Sequence, residues 1–225
     1  MGWLIQTLRS SLGKKLIMAL TGAFLLIFLA VHLFGNLFLY AGKDAFNLYV
    51  HTLEDTPGLT NVIRLIEIVL ALGFLFHIAD GLLLTYENKK ARGPQKYAVK
   101  KPSPGTVTAS RFMFVTGSII FIFLVLHLRD FWFEYKYGVL DETRTPFDVV
   151  AGTFQIPLYS TFYVLAVILL GYHLYHGVQS VFQTLGWNHK KYTPIILFLG
   201  RLYAIVIAAG FASLPIYFLF FKGGL

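Results

Sequence analysis

The chain has 225 residues, of which 56% are hydrophobic and only 13% charged, with a mean hydropathy of +0.66 and a net charge of +8. That is too apolar for a soluble domain of this size. The absence of cysteine excludes disulfides, iron–sulfur ligation and covalent CxxCH haem attachment within the chain. No Gly-rich dinucleotide motif follows a strand and no P-loop occurs, so flavin or nucleotide chemistry belongs on another polypeptide.

The apolar residues fall into five blocks, 16–40, 62–86, 112–133, 158–185 and 194–221, each near the ~20 residues that a bilayer-crossing helix needs. The expected fold is therefore all-α and integral to the membrane, a single domain over 1–225. The first block is too long for a signal peptide and carries Thr21-Gly22 and then His32. The second carries His77 and Gly81, and ends in a basic connection, 87–110, with Gly93-Pro94 and a Pro- and Gly-rich stretch at 102–105. The third carries Thr116-Gly117 and His127; the connection after it, 134–156, mixes Asp141, Glu142, Arg144, Pro146 and Asp148 and is expected to hold short helical or turn structure. The fourth carries His173, His176 and Gly177. The short loop 186–193 makes the last two helices antiparallel neighbours, and the fifth block has no histidine and reads as an added flanking helix.

These features form an internal repeat. Thr21 precedes His32 by eleven residues and Thr116 precedes His127 by eleven; His77 follows His32 by 45 and His173 follows His127 by 46. Two copies of a helix pair, about 95 residues apart, imply a pseudo-two-fold axis along the membrane normal.

At 1.5 Å of rise per residue, His32 lies ~24 Å and His127 ~22 Å from the starts of their helices, which run outward. His77 and His173, on helices running inward, lie ~14 Å and ~18 Å from that same side. An outer pair, His32 with His127, and an inner pair, His77 with His173, result. Zinc and copper sites gather three or four ligands at one level. Two histidines per level suit instead the two axial positions of a haem iron, giving two b haems inside a four-helix bundle. A buried imidazole that binds nothing is expensive in hydrocarbon. Gly22 and Gly117, ten residues before the outer histidines, fall near the inner layer, where a missing side chain lets a porphyrin lie against the backbone; Gly81 and Gly177 can serve similarly, and close helix packing is the other use open to all four. His176 is one turn from His173, but the repeat aligns His173 with His77 and His176 with Asp80, which leaves His176 as a hydrogen-bonding neighbour. His51 and His189 read as solvated.

Charge sets the orientation. With the N-terminus inside, the inner segments carry Arg9, Lys14, Lys15, Lys89, Lys90, Arg92, Lys96, Lys100, Lys101, Arg111, Lys190, Lys191 and Arg201, against Lys43, Arg64, Arg129, Lys136, Arg144 and Lys222 outside. The positive-inside rule then puts the N-terminus in the cytoplasm and the C-terminus outside, and the basic excess needs no nucleic-acid partner.

In their order and spacing, Ser10 to Lys15 leading through Met18 to Thr21-Gly22, Val31-His32-Leu33, Phe76 to Gly81, His173 to Gly177 and Gly186-Trp187 resemble the di-haem cytochrome b membrane anchor of succinate dehydrogenases and quinol:fumarate reductases. The resemblance covers all five helices. It implies an inner haem on His77 and His173 beside an iron–sulfur subunit, and an outer haem on His32 and His127. It also implies a flavoprotein partner, a quinone (menaquinone for this five-helix kind), and a bacterial cytoplasmic membrane location. Some fumarate-reducing members carry a glutamate two residues before the inner ligand; Gly171 stands there, and that proton path is not carried over. Quinone chemistry needs an acid or base beside the ring, for which Glu54, Asp55, Arg64, Glu67, Arg129 and Asp130 are candidates. Arg64 and Glu67 are spaced i,i+3 and can instead pair with each other. Two rival readings stay open: the cytochrome b anchor of a formate dehydrogenase, hydrogenase or nitrate reductase, and a haem-free transporter with a histidine relay.

Overall fold

The computed structural model describes residues 2–94, 109–138, 144–187 and 189–221. The expected basic residues Lys96, Lys100 and Lys101, the stretch 102–105, Asp141, Glu142 and Lys222 lie outside the described residues, as do the side chains of Arg9 and Arg111.

Nine α-helices follow in chain order among the described residues: α1 (Trp3–Arg9), α2 (Ser11–Asn36), α3 (Lys43–Asp55), α4 (Leu59–Arg92), α5 (Ala109–His127), α6 (Glu134–Tyr137), α7 (Pro146–Gln155), α8 (Pro157–Thr184) and α9 (Thr193–Phe220). A 3-10 turn, Leu37–Ala41, extends α2, and a π-helical stretch, Leu128–Phe133, joins α5 to α6. Five continuous segments are long and apolar enough to cross a membrane, Ser11–Ala41, Leu59–Arg92, Phe112–Tyr137, Pro157–Thr184 and Thr193–Phe220. This is the fold of a multi-pass membrane protein.

Local chemistry marks the helix ends. Ser10 caps α2 by accepting the Gly13 amide at 3.0 Å, which satisfies one of the orphan donors of the first turn. α4 stops at Gly93, whose amide bonds back to the carbonyls of Lys89 and Lys90, and the last-turn cations Lys89, Lys90 and Arg92 face the negative end of the helix dipole. α3 is bracketed by Gly42 (φ +99°) and Gly58 (φ +84°). Left-handed backbone at both ends lets this short polar helix leave the bundle axis and return to it.

Helix contacts run α2 to α4, α4 to α5, α5 to α8 and α8 to α2, with α9 packed on α8 and touching α2. The four histidine-bearing helices thus surround a common interior and α9 flanks them. α8 and α9 pack through small residues. A Cβ on Gly171 would lie 2.8 Å from Ala208 Cβ, and one on Gly200 would lie 2.8 Å from Val178 Cγ1. The face where α2 begins is called the near face below, and the face where it ends the far face. On the far face α3 and α7 close over the bundle. Phe46, Phe147, Val150 and Phe154 join Phe131, Tyr163, Leu214 and Phe218 in one buried aromatic core.

Candidate functional site

The helix geometry brings the four histidines together in the pairs that their spacing predicts. The ring centroids of His32 on α2 and His127 at the end of α5 are 5.8 Å apart, with planes at 88°. Those of His77 on α4 and His173 on α8 are 6.4 Å apart, at 70°. Among the described residues no group of three or more His, Cys, Asp or Glu side chains is arranged to hold a metal ion. The site is one of histidine pairs.

The outer pair lies in an aromatic box. Phe28 stacks on His32 at 5.2 Å and Phe211 approaches it at 5.5 Å; Phe123 (5.5 Å), Phe131 (5.2 Å) and Tyr163 (6.1 Å) surround His127. His127 Nδ1 is buried without a hydrogen-bond partner among the described residues.

The inner pair has polar support, identical in both halves of the repeat. Thr21 Oγ1 lies 3.3 Å from His77 Nδ1, and Thr116 Oγ1 lies 3.3 Å from His173 Nδ1. The adjacent glycines border the same ring edges. A Cβ on Gly22 would stand 3.5 Å from His77 Cε1, and one on Gly117 would stand 3.6 Å from His173 Cε1. The backbone at Gly22 and Gly117 is therefore approached by imidazole. Gly81 borders Met18, and nothing lies within 4 Å of a Cβ on Gly177. One turn toward the near face from the inner pair, Asp80 Oδ2 and His176 Nδ1 are both buried without partners among the described residues, so among these His176 does not make the hydrogen bond expected of it through that nitrogen. His51 is exposed and bonds Asp55 at 2.9 Å, and His189 is exposed.

Gly171 points away from the histidines into α9, so its position has no room for a carboxylate beside the inner pair.

The far-face acids take partners that local spacing does not predict. Glu67 pairs with Lys136 at 3.3 Å, not with Arg64, and Glu54 bonds the same Lys136 ammonium through both oxygens at 2.9 Å. Trp132 Nε1 donates to Glu67 at 3.4 Å. Lys136, missed in the sequence reading, is the centre of this group; its partners come from α3 and α4, so no local pattern marks it. The second group joins Arg129 to Asp130 (2.5–2.7 Å) and to the Tyr159 hydroxyl (2.9 Å), while the Tyr163 hydroxyl donates to the other Asp130 oxygen at 3.3 Å. Arg64 is exposed. Outside the spans, burial raises the Tyr49 hydroxyl above its ordinary pKa. Burial also opposes ionisation of Asp148, but bonds from Lys43 and from the Thr145 amide and hydroxyl outweigh it and hold the carboxyl below its ordinary value.

Fold and site together define a class: an all-α, multi-pass membrane protein with two histidine pairs stacked between its helices. The chain is 26% identical over 188 residues to the succinate dehydrogenase cytochrome b558 subunit of Bacillus subtilis (strain 168), across 79% of this chain and 84% of that protein. No family model matches the chain, and no solved structure matches it.

Proposed function

We propose that the chain is the membrane anchor and electron-transfer subunit of a succinate:quinone oxidoreductase, holding two b haems on His77 with His173 and on His32 with His127. The observation that carries this reading is the separation within each pair. An iron between two imidazoles, at about 2.0 Å from each nitrogen, puts the ring centres about 6 Å apart. The rings here are 5.8 and 6.4 Å apart. The likeness to a succinate dehydrogenase cytochrome b subunit points the same way. A haem iron held by such a pair passes one electron at a time between its ferric and ferrous states. The helices supply rigid ligands at two depths, and the aromatic box keeps water from the outer pair.

In this reading the near face is cytoplasmic, in a bacterial cytoplasmic membrane, and an iron–sulfur subunit with its flavoprotein docks there. Quinone, with menaquinone the expected type, reacts toward the far face. Of the two far-face groups, the Lys136 cluster is the better ring-binding candidate. Asp130 is only 8% exposed and both its oxygens are occupied. Glu54 and Glu67 are 38% and 30% exposed and share one ammonium, so either can exchange a proton with an incoming ring.

The deciding experiment is a dithionite-reduced minus oxidised spectrum with haem quantitation on the purified complex. Two b haems per copy are expected, with a co-purifying flavoprotein. No haem would overturn the reading and favour a histidine relay; a molybdopterin or nickel–iron partner would assign the anchor to a different complex.

A further inference from the structure

We infer that Thr21 and Thr116 are positioning residues for the inner histidines: each hydroxyl accepts the Nδ1–H of its partner imidazole, reserves Nε2 for iron and raises the basicity of that nitrogen. The inference rests on the two-haem reading above and extends it to residues that do not touch the metal.

The direction of the hydrogen bond follows from the hydroxyl's other contacts. Thr21 Oγ1 donates to the Ile17 carbonyl at 2.8 Å, with the Met18 carbonyl at 3.2 Å; Thr116 Oγ1 donates to the Phe112 carbonyl at 3.0 Å, with the Met113 carbonyl at 3.2 Å. A hydroxyl has one proton and two lone pairs. With the proton committed to the backbone, the contact to the imidazole uses a lone pair, so Nδ1 carries the hydrogen. A neutral imidazole protonated at Nδ1 is a ligand only through Nε2.

The glycines complete the device. Cε1 is the ring atom bonded to Nδ1, and it is the atom that a Cβ on Gly22 or Gly117 would meet first. The dipeptide Thr-Gly therefore receives one imidazole edge, the threonine bonding the nitrogen and the glycine clearing its neighbouring carbon. That accounts for its recurrence at the same distance before the outer histidine in each half. A threonine that merely bonds to its own helix does not do this: Thr85 donates to the Gly81 carbonyl at 2.7 Å and has no imidazole beside it. In the outer pair His127 lacks such an acceptor, since its Nδ1 has no partner among the described residues. Hydrogen bonding at the outer nitrogen makes a histidine a stronger donor to metal, which favours ferric over ferrous iron. The threonines thus lower the inner potential relative to the same pair without them.

The test is a redox titration of the haem α band, fitted to two components, on the purified complex of T21V, T116V, T21S, T116S and the control T85V. The inner component is the one absent from His77→Ala. The expected result is two haems retained, the inner midpoint raised in both valine variants, the outer midpoint unmoved, and wild-type values in the serine variants and in T85V. Valine titrations that superimpose on wild type with both haems present would overturn the inference and leave the two-haem reading intact. Where a valine variant loses the inner haem, the serine variant decides: haem and potential restored support the inference, and failure to restore them overturns it. A wild-type complex with no haem defeats both readings together.

Discussion

A buried imidazole with an unsatisfied nitrogen costs free energy, about 1–3 kcal/mol for a neutral polar group without a partner, and this bundle carries its histidines in facing pairs. If each pair holds one iron, its two members are equivalent and substitutions sort by pair. His32→Ala or His127→Ala should lose the outer haem and keep the inner; His77→Ala or His173→Ala should do the reverse. His176→Ala should keep both, because His173 and not His176 faces His77. Haem quantitation with low-temperature spectra reads this directly, and loss of a haem from His176→Ala alone would transfer the ligand assignment to it. In the same reading, proton exchange at the far face would be separable from haem binding. Lys136→Met leaves Glu54 and Glu67 without their shared cation. Quinone reduction should slow about a hundredfold or more, the lower end of what a positioned acid or base contributes, with both haems retained. Full turnover in that variant would move the quinone site away from this cluster.

At the scale of elements, the α8–α9 seam and the far-face cap each make a measurable claim. Gly171→Ala places a Cβ against Ala208, and overpacking of this kind costs about 1–3 kcal/mol. The melting temperature in detergent should fall, and Ala208→Gly in the same chain should recover most of the loss, since contacting residues are not additive. On the cap, Asp148 accepts the Thr145 amide (2.8 Å) and hydroxyl (2.7 Å) at the start of α7 and pairs with Lys43 of α3 at 2.8 Å. Its lowered pKa means that the stabilisation is complete above the unfolded value of about 3.9 and is lost as pH falls through the native one. Asp148→Ala should therefore cost about 1 kcal/mol at pH 7 and progressively less as pH falls through the native value, read from paired melts. How much of this was legible in sequence depends on range. The five long helices and the two histidine levels follow from composition and from constant rise per residue, so they can be counted off the chain. α3 could not be, because its thirteen residues are too short and too polar to stand out as a membrane block, although Phe46, Tyr49, Val50 and Leu53 recur at helical spacing. The i,i+3 spacing pointed Glu67 to Arg64, yet the structure gives it Lys136, a partner brought near only by the packing of α4 beside the segment after α5. The role of Thr-Gly was hidden for the same reason: the repeat marked the dipeptide, but only the approach of α4 to α2 and of α8 to α5 supplies the ring that it receives.

The whole molecule is asymmetric in how its cations are used. On the far face Lys43, Arg129, Lys136 and Arg144 each pair with a carboxylate, Asp148, Asp130, Glu54 with Glu67, and Glu134, and only Arg64 among the described far-face cations is exposed without a salt bridge. On the near face Lys14 pairs with Glu87, while Lys15, Lys89, Lys90, Lys190 and Lys191 are exposed and have no salt bridge among the described residues. Uncompensated cations flanking apolar spans are what the positive-inside rule counts, and they form a surface suited to an acidic soluble subunit. A near face in the cytoplasm satisfies both requirements at once. Because the chain has no cysteine, single cysteines report orientation without background: Thr52→Cys on α3 and Lys90→Cys at the end of α4 are exposed on opposite faces. In intact spheroplasts a membrane-impermeant maleimide should label Thr52→Cys and leave Lys90→Cys unmodified until the membrane is opened. The opposite pattern would invert the protein, put the basic face outside, and remove the docking surface on which the electron-transfer reading depends.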